Sequence, residues 1–550
     1  MSSVHLTPKQ LIIGITVAIA CFLPPFIGSA TGLIASDIIG FFGYEAAFGS
    51  GLLPWIFTVY TLTSTVFLIP AARLADKFNK KIFFTIGVLL LGVGSLGIGL
   101  SPTIEVMLVM RAVQGVGNAL MFGTAIALLA DIVPEKHRGT AIGVAMTGVF
   151  LGQLAAPLAA GALTNLVGWS AVFIVLCPVA LLSFILAIIF IPKDKPTDTG
   201  KFDWIGTLIF IAGMTLAVYG FSKLPETTAI ASLVAGIILM ILFFVYEKRN
   251  ANPLVPVNLI LHNRSFTFNS SANLLYYIAI YSMDSLISTY MAELLGIDNP
   301  LLRALIITTE GLILALFTIV AGRFFDHMLP RFILGLGGVL TVVGIAGAVL
   351  MGTAQADALW LTGAIIFASV AAFGIGSIIL GIIDRIIRNA PPRASTCLGL
   401  LIIIAGMVVF LTSGEQMNLW LLIIVEALFG IGIAIFVTPN STAIMNSVTE
   451  KEYSLASGTL STVRMLGMAL SFGIVAILET AFITGAAETY APEFLTMLHG
   501  TIIASIGVLI VALPLSWFGG GAKKQAYFFF YFFIRKKTVR YGQDTELIYC

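Results

Sequence analysis

The chain has 550 residues, of which 59% are hydrophobic and only 10% are charged, and its formal net charge is +2. Soluble domains average about 25% charged residues, so this composition excludes a soluble globular protein and indicates an all-α polytopic membrane protein. The near-neutral balance predicts no nucleic-acid partner. The cysteines and histidines are scattered without metal-site spacings, and no HExxH or GxSxG motif occurs, so neither a cofactor, a metal site nor an enzyme is expected.

Apolar runs of about 18 or more residues are long enough to cross a bilayer as helices. Sixteen such runs occur, approximately at 11–32, 50–71, 83–101, 104–130, 139–163, 169–191, 204–222, 228–246, 266–292, 302–322, 332–351, 358–383, 395–412, 419–438, 457–481 and 499–518. With the N-terminus inside, all but four of the 29 Lys and Arg residues lie on the cytoplasmic side. Because basic residues concentrate in cytoplasmic loops, the pattern predicts a multi-pass protein of the cytoplasmic membrane with both termini inside.

The fourth run contains Arg111, a charged residue in a segment otherwise suited to the bilayer core. A lipid-facing arginine at that depth costs about 2.5 to 3.5 kcal/mol, so a protected interior position is expected. Gln114 and Asn118 follow three and seven residues later and share its helical face. We therefore expect this face to line a wet cavity.

Acidic residues lie in three later runs. Asp284 extends a polar stripe with Asn273 and Tyr277 on the ninth run, Glu310 lies in the tenth run and Glu426 in the fourteenth. Counted from the outer end of each run, these acids and the arginine of the fourth run lie at one depth, roughly 10 to 12 Å. Buried carboxylates can exchange protons and attract cations, so this layer predicts a site for proton coupling and substrate binding around a central cavity.

The turn after the second run reads AARLADKFNKK (71–81). It resembles the loop signature of the major facilitator superfamily, in which an Asp and a basic residue precede two further basic residues. Ala72 and Asn79 stand where that signature has glycines. The resemblance implies a gating loop on the cytoplasmic side, formed by Arg73, Asp76, Lys77 and, from the next even loop, Arg138.

Further motifs resemble the same superfamily. RAVQGVGNA (111–119) resembles its fourth-helix motif, and GVFLGQLAAPLAAG (148–161) resembles the antiporter motif of its fifth helix. Small residues of the latter let a neighbouring helix lie close. The antiporter resemblance is carried by Gly148, Gly152, Pro157 and Gly161.

With FDWIG (202–206) and the stretch 430–473, these motifs together resemble the fourteen-helix drug:proton antiporters, which export quaternary ammonium compounds and other lipophilic toxins. In that stretch Arg464 matches a family arginine, for which we expect a structural role. One departure is Gly28, which stands where the family has an Asp in its first helix. One expected proton-carrying group is therefore missing.

The resemblance implies a major facilitator fold of two six-helix bundles with accessory transmembrane helices. Because the count is sixteen rather than fourteen runs, the simplest organisation has an N-terminal bundle at 1–200, an accessory two-helix linker at 201–250, a C-terminal bundle at 251–520 with an extra hairpin near 332–383, and a cytoplasmic aromatic and basic tail at 521–550. A rival account takes the last six runs as the second bundle and makes four helices accessory.

The resemblance and the acidic layer imply a proton-coupled secondary exporter of lipophilic, cationic drugs or toxins that works by alternating access. Its partners would be the substrate, protons and the lipid bilayer. Acidic residues in an aromatic cavity attract lipophilic cations without fixing their shape. One alternative is a transporter of an anionic metabolite or lipid, favoured by Gly28 and Arg111. The other is a non-transporting membrane protein built on a transporter scaffold.

Overall fold

The computed structural model describes residues 8–44, 51–133, 135–192, 202–250, 252–255, 257–321, 392–414, 417–448, 453–483 and 490–519. Every regular element within these ranges is a helix: α1 (Pro8–Phe41), α2 (Leu53–Lys77), α3 (Lys80–Gly99), α4 (Ile104–Ile132), α5 (Glu135–Leu166), α6 (Ser170–Ile174), α7 (Leu176–Phe190), α8 (Trp204–Ser222), α9 (Thr227–Glu247), α10 (Val257–His262), α11 (Arg264–Ile280), α12 (Met283–Glu293), α13 (Pro300–Ala321), α14 (Pro392–Phe410), α15 (Leu419–Asn446), α16 (Tyr453–Phe482) and α17 (Tyr490–Gly519).

Twelve helices in the described ranges are long and apolar enough to cross a membrane. Their outward faces are apolar as well, as on α9, where Val234, Ile238 and Ile241 are exposed. Exposed aliphatic rows of this kind suit contact with lipid tails, because the helical backbone satisfies its own hydrogen bonds. The runs at 332–351 and 358–383, the extra hairpin predicted near them and the tail 521–550 lie outside the described residues.

The ninth predicted run is not one continuous helix. Tyr281 and Ser282 interrupt the helix, so that α11 ends at Ile280 and α12 begins at Met283. The break is held from α16, where the Ser471 hydroxyl accepts from the Ser282 amide at 3.1 Å and donates to its hydroxyl at 2.9 Å. The predicted run at 266–292 thus consists of two helices, and at the break the Ser282 amide bonds to a side chain of another helix instead of to its own backbone.

Glycines bring α1 and α5 into direct backbone contact. A Cβ added at Gly148 would lie 1.9 Å from the Ala18 carbonyl oxygen, and one at Gly152 would lie 2.3 Å from the Phe22 carbonyl oxygen. No side chain fits at either position without moving the backbone of α1. The small-residue face expected from the antiporter-like motif thus packs against the first helix.

The same helix α5 also contacts the second half of the chain. A Cβ at Gly161 would lie 2.8 Å from the Pro300 carbonyl oxygen and 2.6 Å from the Ala304 Cβ, both on α13. Elsewhere α16 packs along α2, and the Phe57 and Phe472 rings stack with centroids 3.9 Å apart. The two halves therefore meet along α1, α2 and α5 on one side and α12, α13 and α16 on the other.

A buried ion pair joins the halves at the end opposite the α2–α3 turn, which we call the far end. Arg303 on α13 donates to both carboxylate oxygens of Asp37 on α1, at 2.9 and 2.7 Å, and to the Ser36 hydroxyl at 2.9 Å. Arg303 is 1% exposed and Asp37 is 23% exposed. These three residues form what we call the far-end clasp, and they hold the halves together at that end.

We expect Gly148→Ala to lower the free energy of unfolding by about 1 to 3 kcal/mol, because the new methyl group must displace the α1 backbone. Gly507→Ala on α17 is the matched control, since nothing lies within 4 Å of its Cβ position. Chemical denaturation of both variants in detergent micelles measures the difference. Equal stability of the two variants would contradict the close α1–α5 contact.

We expect Asp37→Asn to destabilise the protein by about 2 to 3 kcal/mol, because it leaves the Arg303 charge buried without a counter-charge. Glu226→Gln, a neutralised exposed carboxylate at the start of α9, serves as the control. The same denaturation measurement applies. A loss shared equally by both variants would show that the clasp carries no more weight than a surface charge.

Candidate functional site

Three acidic side chains from three helices of the second half converge in the interior. One oxygen each of Asp284 on α12, Glu310 on α13 and Glu426 on α15 lies within 4.8 Å of the other two. Glu426 is 0% and Glu310 is 4% exposed, and Asp284 is half-buried. We call these residues the acid triad. The structure thus brings together the three acids that depth counting placed in one layer.

The local sequence explains how the acids reach one another. The break before α12 places Asp284 in the first turn of a helix that starts in the buried interior, where the helix dipole favours negative charge. On α15, Gly430 lies one turn after Glu426 on the same face, and a Cβ there would lie 2.8 Å from the Glu310 carbonyl oxygen. Close contact of α13 and α15 therefore brings their two glutamates together.

The triad has unused capacity to bind a positive species. Both carboxylate oxygens of Glu426 and one of Glu310 are buried without a hydrogen-bond partner. Three ionised carboxylates at such distances repel one another by about 3 to 4 kcal/mol per pair at an effective dielectric constant of about 20. Shared protons, a cationic group or a small metal ion could offset that repulsion. The sequence analysis looked for metal sites in the spacing of histidines and cysteines, and that spacing gave no indication of these three carboxylates.

The contacts of Arg111 are with residues other than the acid triad. Its guanidinium donates to the Gln114 side-chain oxygen at 3.2 Å and to the Thr31 hydroxyl on α1, and it lies 5.1 Å from the Phe173 ring centroid. Among the described residues it forms no ion pair. Arg111 and the acids were predicted to lie at one depth, but the α4 helix turns the face that carries Arg111 toward α1 and α6.

The predicted polar stripe on α4 shares one face and is buried rather than wet. Gln114 donates to the Ser95 hydroxyl on α3 at 2.8 Å, and Asn118 donates to the Ser64 hydroxyl on α2 at 3.1 Å. All three stripe residues are 0 to 1% exposed. The stripe therefore links α4 to three neighbouring helices, α1, α2 and α3.

Tyr281 occupies the space beside Gly28. A Cβ added at Gly28 would lie 3.1 Å from the Tyr281 hydroxyl, which enters from the break between α11 and α12. Tyr281 precedes Asp284 by three residues. The position of the missing first-helix acid is therefore filled by a tyrosine of the other half, a residue that sequence reasoning missed.

The remaining predicted residues of α11 lie near Arg464. The guanidinium carbon of Arg464 on α16 lies 5.2 Å from the Phe122 ring centroid on α4. A Cβ at Gly467 would lie 2.7 Å from the Tyr277 Cβ, so α11 and α16 are in close contact there. Asn273 is buried one turn before Tyr277. Tyr277 and Asp284 thus lie on two separate helices, not on one stripe.

The predicted gating loop forms a polar cluster around Lys80. Lys80, 2% exposed, pairs with Asp76 at 3.2 Å and with Asp131 at the end of α4 at 2.8 Å. Arg73 donates to the carbonyl oxygens of Pro253 at 2.8 Å and Leu254 at 3.3 Å, which follow α9.

The other two residues of the predicted gating loop are Lys77 and Arg138. Lys77 ends α2, and Arg138 lies in α5, where its side chain is outside the described set. The motif therefore ties α2, α3 and α4 together. Asp131, whose role the sequence did not reveal, is its third charged member.

Comparisons with known proteins agree with this architecture. The family model described as Major Facilitator Superfamily matches residues 10–396. An MFS-type transporter of Mycobacterium tuberculosis strain H37Rv is 31% identical over 54% of this chain and 52% of its own length, so the chain spans about half of that relative. Multidrug resistance protein Stp of M. tuberculosis strain CDC 1551 is 25% identical over 81% of this chain and 72% of its own. Riboflavin transporter RibZ of Clostridioides difficile is 22% identical over 90% and 93%.

Solved structures share the fold. The POT family transporter PepTSo superposes with a TM-score of 0.59 at 13% identity, covering 93% of this chain and 99% of that one. A bacterial homologue of the lysosomal transporter Spinster gives a TM-score of 0.55 at 15% identity, covering 94% and 98%. At these identities the likeness concerns the fold alone. The predicted resemblance to drug exporters and the predicted fold class are confirmed. The chain belongs to the Major Facilitator Superfamily and is a multi-pass membrane transporter of small molecules, not an enzyme.

Proposed function

We propose that the protein is a proton-coupled exporter of lipophilic, cationic compounds, in which the acid triad exchanges protons for the substrate cation. The observation that carries this proposal is the convergence of Asp284, Glu310 and Glu426, with three buried oxygens that have no partner. A site of this kind cannot hold all its negative charges without a positive species. Protons and a substrate cation therefore compete for the same oxygens.

Competition at one site is the basis of exchange. When the site opens to the cytoplasm, protons leave and the substrate cation enters. When it opens to the outside, protons displace the cation and return inward. The transporter must then never open to both sides at once, which alternating movement of the two halves provides. We place the chain in the cytoplasmic membrane with both termini inside, so the far end faces outward.

The contacts between the halves fit this cycle. With this orientation, the far-end clasp and the α5–α13 contact are the contacts that would close the outer side. Ser288 on α12 also donates to the Leu33 carbonyl oxygen on α1 at 2.6 Å. Opening outward requires these bonds to break, and it would uncover the helices that carry the triad. Several relatives are multidrug, lincomycin and puromycin resistance proteins, which supports the drug-exporter assignment.

We expect Glu426→Gln to reduce proton-driven accumulation of the fluorescent lipophilic cation rhodamine 123 at least tenfold in proteoliposomes, because one proton-exchanging carboxylate of the triad is removed. The assay imposes a pH gradient on purified full-length protein and follows dye uptake. Glu226→Gln, an exposed glutamate at the start of α9, makes the same chemical change outside the triad and should transport like wild type.

Intact gradient-driven transport in both Glu426→Gln and Asp284→Asn would contradict the proposed mechanism. Transport by wild type that does not respond to the pH gradient would retain an exporter but exclude proton coupling. Thermal unfolding of each variant shows whether a loss of transport reflects loss of fold.

A further inference from the structure

The accessory helices α8 and α9 carry two buried acids that the proposed function does not use. Asp203 belongs to the FDWIG motif and caps the start of α8, and Glu247 is the last residue of α9. Asp203 is 9% exposed and Glu247 is 1% exposed. We call these two residues the acid pair. They come from two helices that pack side by side.

Gly206 shows that the two carboxylates are close neighbours. A Cβ added at Gly206 would lie 2.0 Å from Oδ2 of Asp203 and 2.7 Å from Oε1 of Glu247. Since both oxygens lie so near one point, they face one another across the space that a side chain would fill. A glycine in the first turn of α8 therefore allows the acid pair to approach.

One oxygen of the acid pair has no donor. Oδ1 of Asp203 accepts from a backbone amide of α8 at 2.9 Å and from the Tyr246 hydroxyl at 3.0 Å, and Oδ2 accepts from the Asn250 side chain at 2.8 Å. Oε2 of Glu247 accepts from the Val255 amide at 3.2 Å. Oε1 of Glu247, which faces Asp203, is buried without a hydrogen-bond partner.

No basic side chain neutralises the acid pair. Among the described residues neither acid forms an ion pair, and Lys248 and Arg249, which follow Glu247, are exposed. The titratable group that the hydrogen bonds place beside the pair is Tyr246, which donates to Asp203. Two carboxylates that share a buried site favour a state in which one of them keeps a proton. Such a proton would supply the donor that Oε1 of Glu247 lacks.

The acid pair is connected to α2 through the short segment 253–255, which we call the strap. Glu247 holds the strap through the Val255 amide, and Arg73 near the end of α2 donates to the carbonyl oxygens of Pro253 and Leu254. Leu254 and Val255 are buried and pack in one apolar cluster with residues of α2, α8 and α9. The strap also leads from α9 into α10 and α11 of the second half. It therefore links the accessory helices to both halves.

We propose that Asp203 and Glu247 form a second proton-binding site, separate from the acid triad, whose proton keeps the strap attached to α9. With one shared proton the pair carries a single negative charge, and Glu247 can accept from the strap. When the pH rises and the proton leaves, two buried carboxylates repel each other, Glu247 turns away, and the strap is released.

Release of the strap would also free Arg73 from its carbonyl acceptors. The compartment whose pH is sensed rests on the proposed function, in which this end of the molecule faces the cytoplasm. An acid cytoplasm would then hold α2 to the strap, and an alkaline one would free it. In an exporter that brings protons inward, such a site slows the cycle when the cytoplasm is already acidic.

Hydrogen–deuterium exchange of the strap tests the site without any need for transport. Purified full-length protein in detergent micelles is labelled at about pH 5.5 and about pH 8.5, and the exchange rate of the peptide with Leu254 and Val255 is divided by the intrinsic rate at each pH. We expect protection of this peptide in wild type to fall about tenfold from the lower to the higher pH, because the bond to Glu247 is lost.

Two variants should remove this pH response in opposite directions. Glu247→Gln keeps an acceptor for the strap and a donor toward Asp203, so protection should stay high at both pH values. Gly206→Ala places a methyl group between the two carboxylates, so protection should be low at both. Glu226→Gln, at the exposed start of the same helix, should respond as wild type does. Because the two changes act in opposite directions, loss of fold cannot imitate both results.

The outcomes keep the two proposals apart. Equal protection of the wild-type strap at both pH values, or a full pH response retained in Glu247→Gln, overturns the second proton site. If rhodamine 123 does not accumulate under a pH gradient, the proposed function fails and the assignment of the site to the cytoplasm fails with it. The exchange measurement still decides in that case whether the acid pair binds a proton.

Discussion

The mutual repulsion of three carboxylates in an apolar interior is the constraint on which the rest of this structure depends. Asp284, Glu310 and Glu426 bring their oxygens within 4.8 Å, and the surrounding helices supply too few donors to neutralise them. In the proposed function, a positive species therefore occupies the site at every stage. A transporter that alternately opens such a site to two compartments must exchange that species with each of them, and this links charge at the triad to movement of the halves.

Close helix packing transmits this constraint through the molecule. Glycines place the α15 backbone against α13 beside Glu310, and place α5 against both α1 and α13. Two of the helices that carry the acids, α12 and α13, are in contact with helices of the first half. Because interiors of this density do not deform continuously, a shift of one half changes the burial of the acids.

The distribution of charge between the two halves distinguishes this site from a simple acidic cavity. All three triad members come from the second half, and the first helix contributes no acid, since Gly28 faces the hydroxyl of Tyr281. The opposite charge of Arg111 is held by Thr31, Gln114 and an aromatic face. Separation of the two signs leaves both partly unpaired, which favours ligands over internal ion pairs as the source of compensation.

Hydropathy and helical periodicity by themselves determined the membrane class, most of the spans and the charged residues of the interior, because a charge within an apolar run is costly and therefore conspicuous. Depth counting placed Asp284, Glu310 and Glu426 in one layer, and spacing placed Gln114 and Asn118 beside Arg111.

Only the tertiary structure decided which faces meet. Depth says nothing of how a helix is rotated about its axis, so the separation of Arg111 from the acids was invisible in the sequence. The break at Ser282 has no proline or glycine to announce it and depends on Ser471, 189 residues away. Asp37 and Arg303 are 266 residues apart and meet only because α1 packs beside α13. Such contacts follow from the packing of distant segments, which no local pattern records.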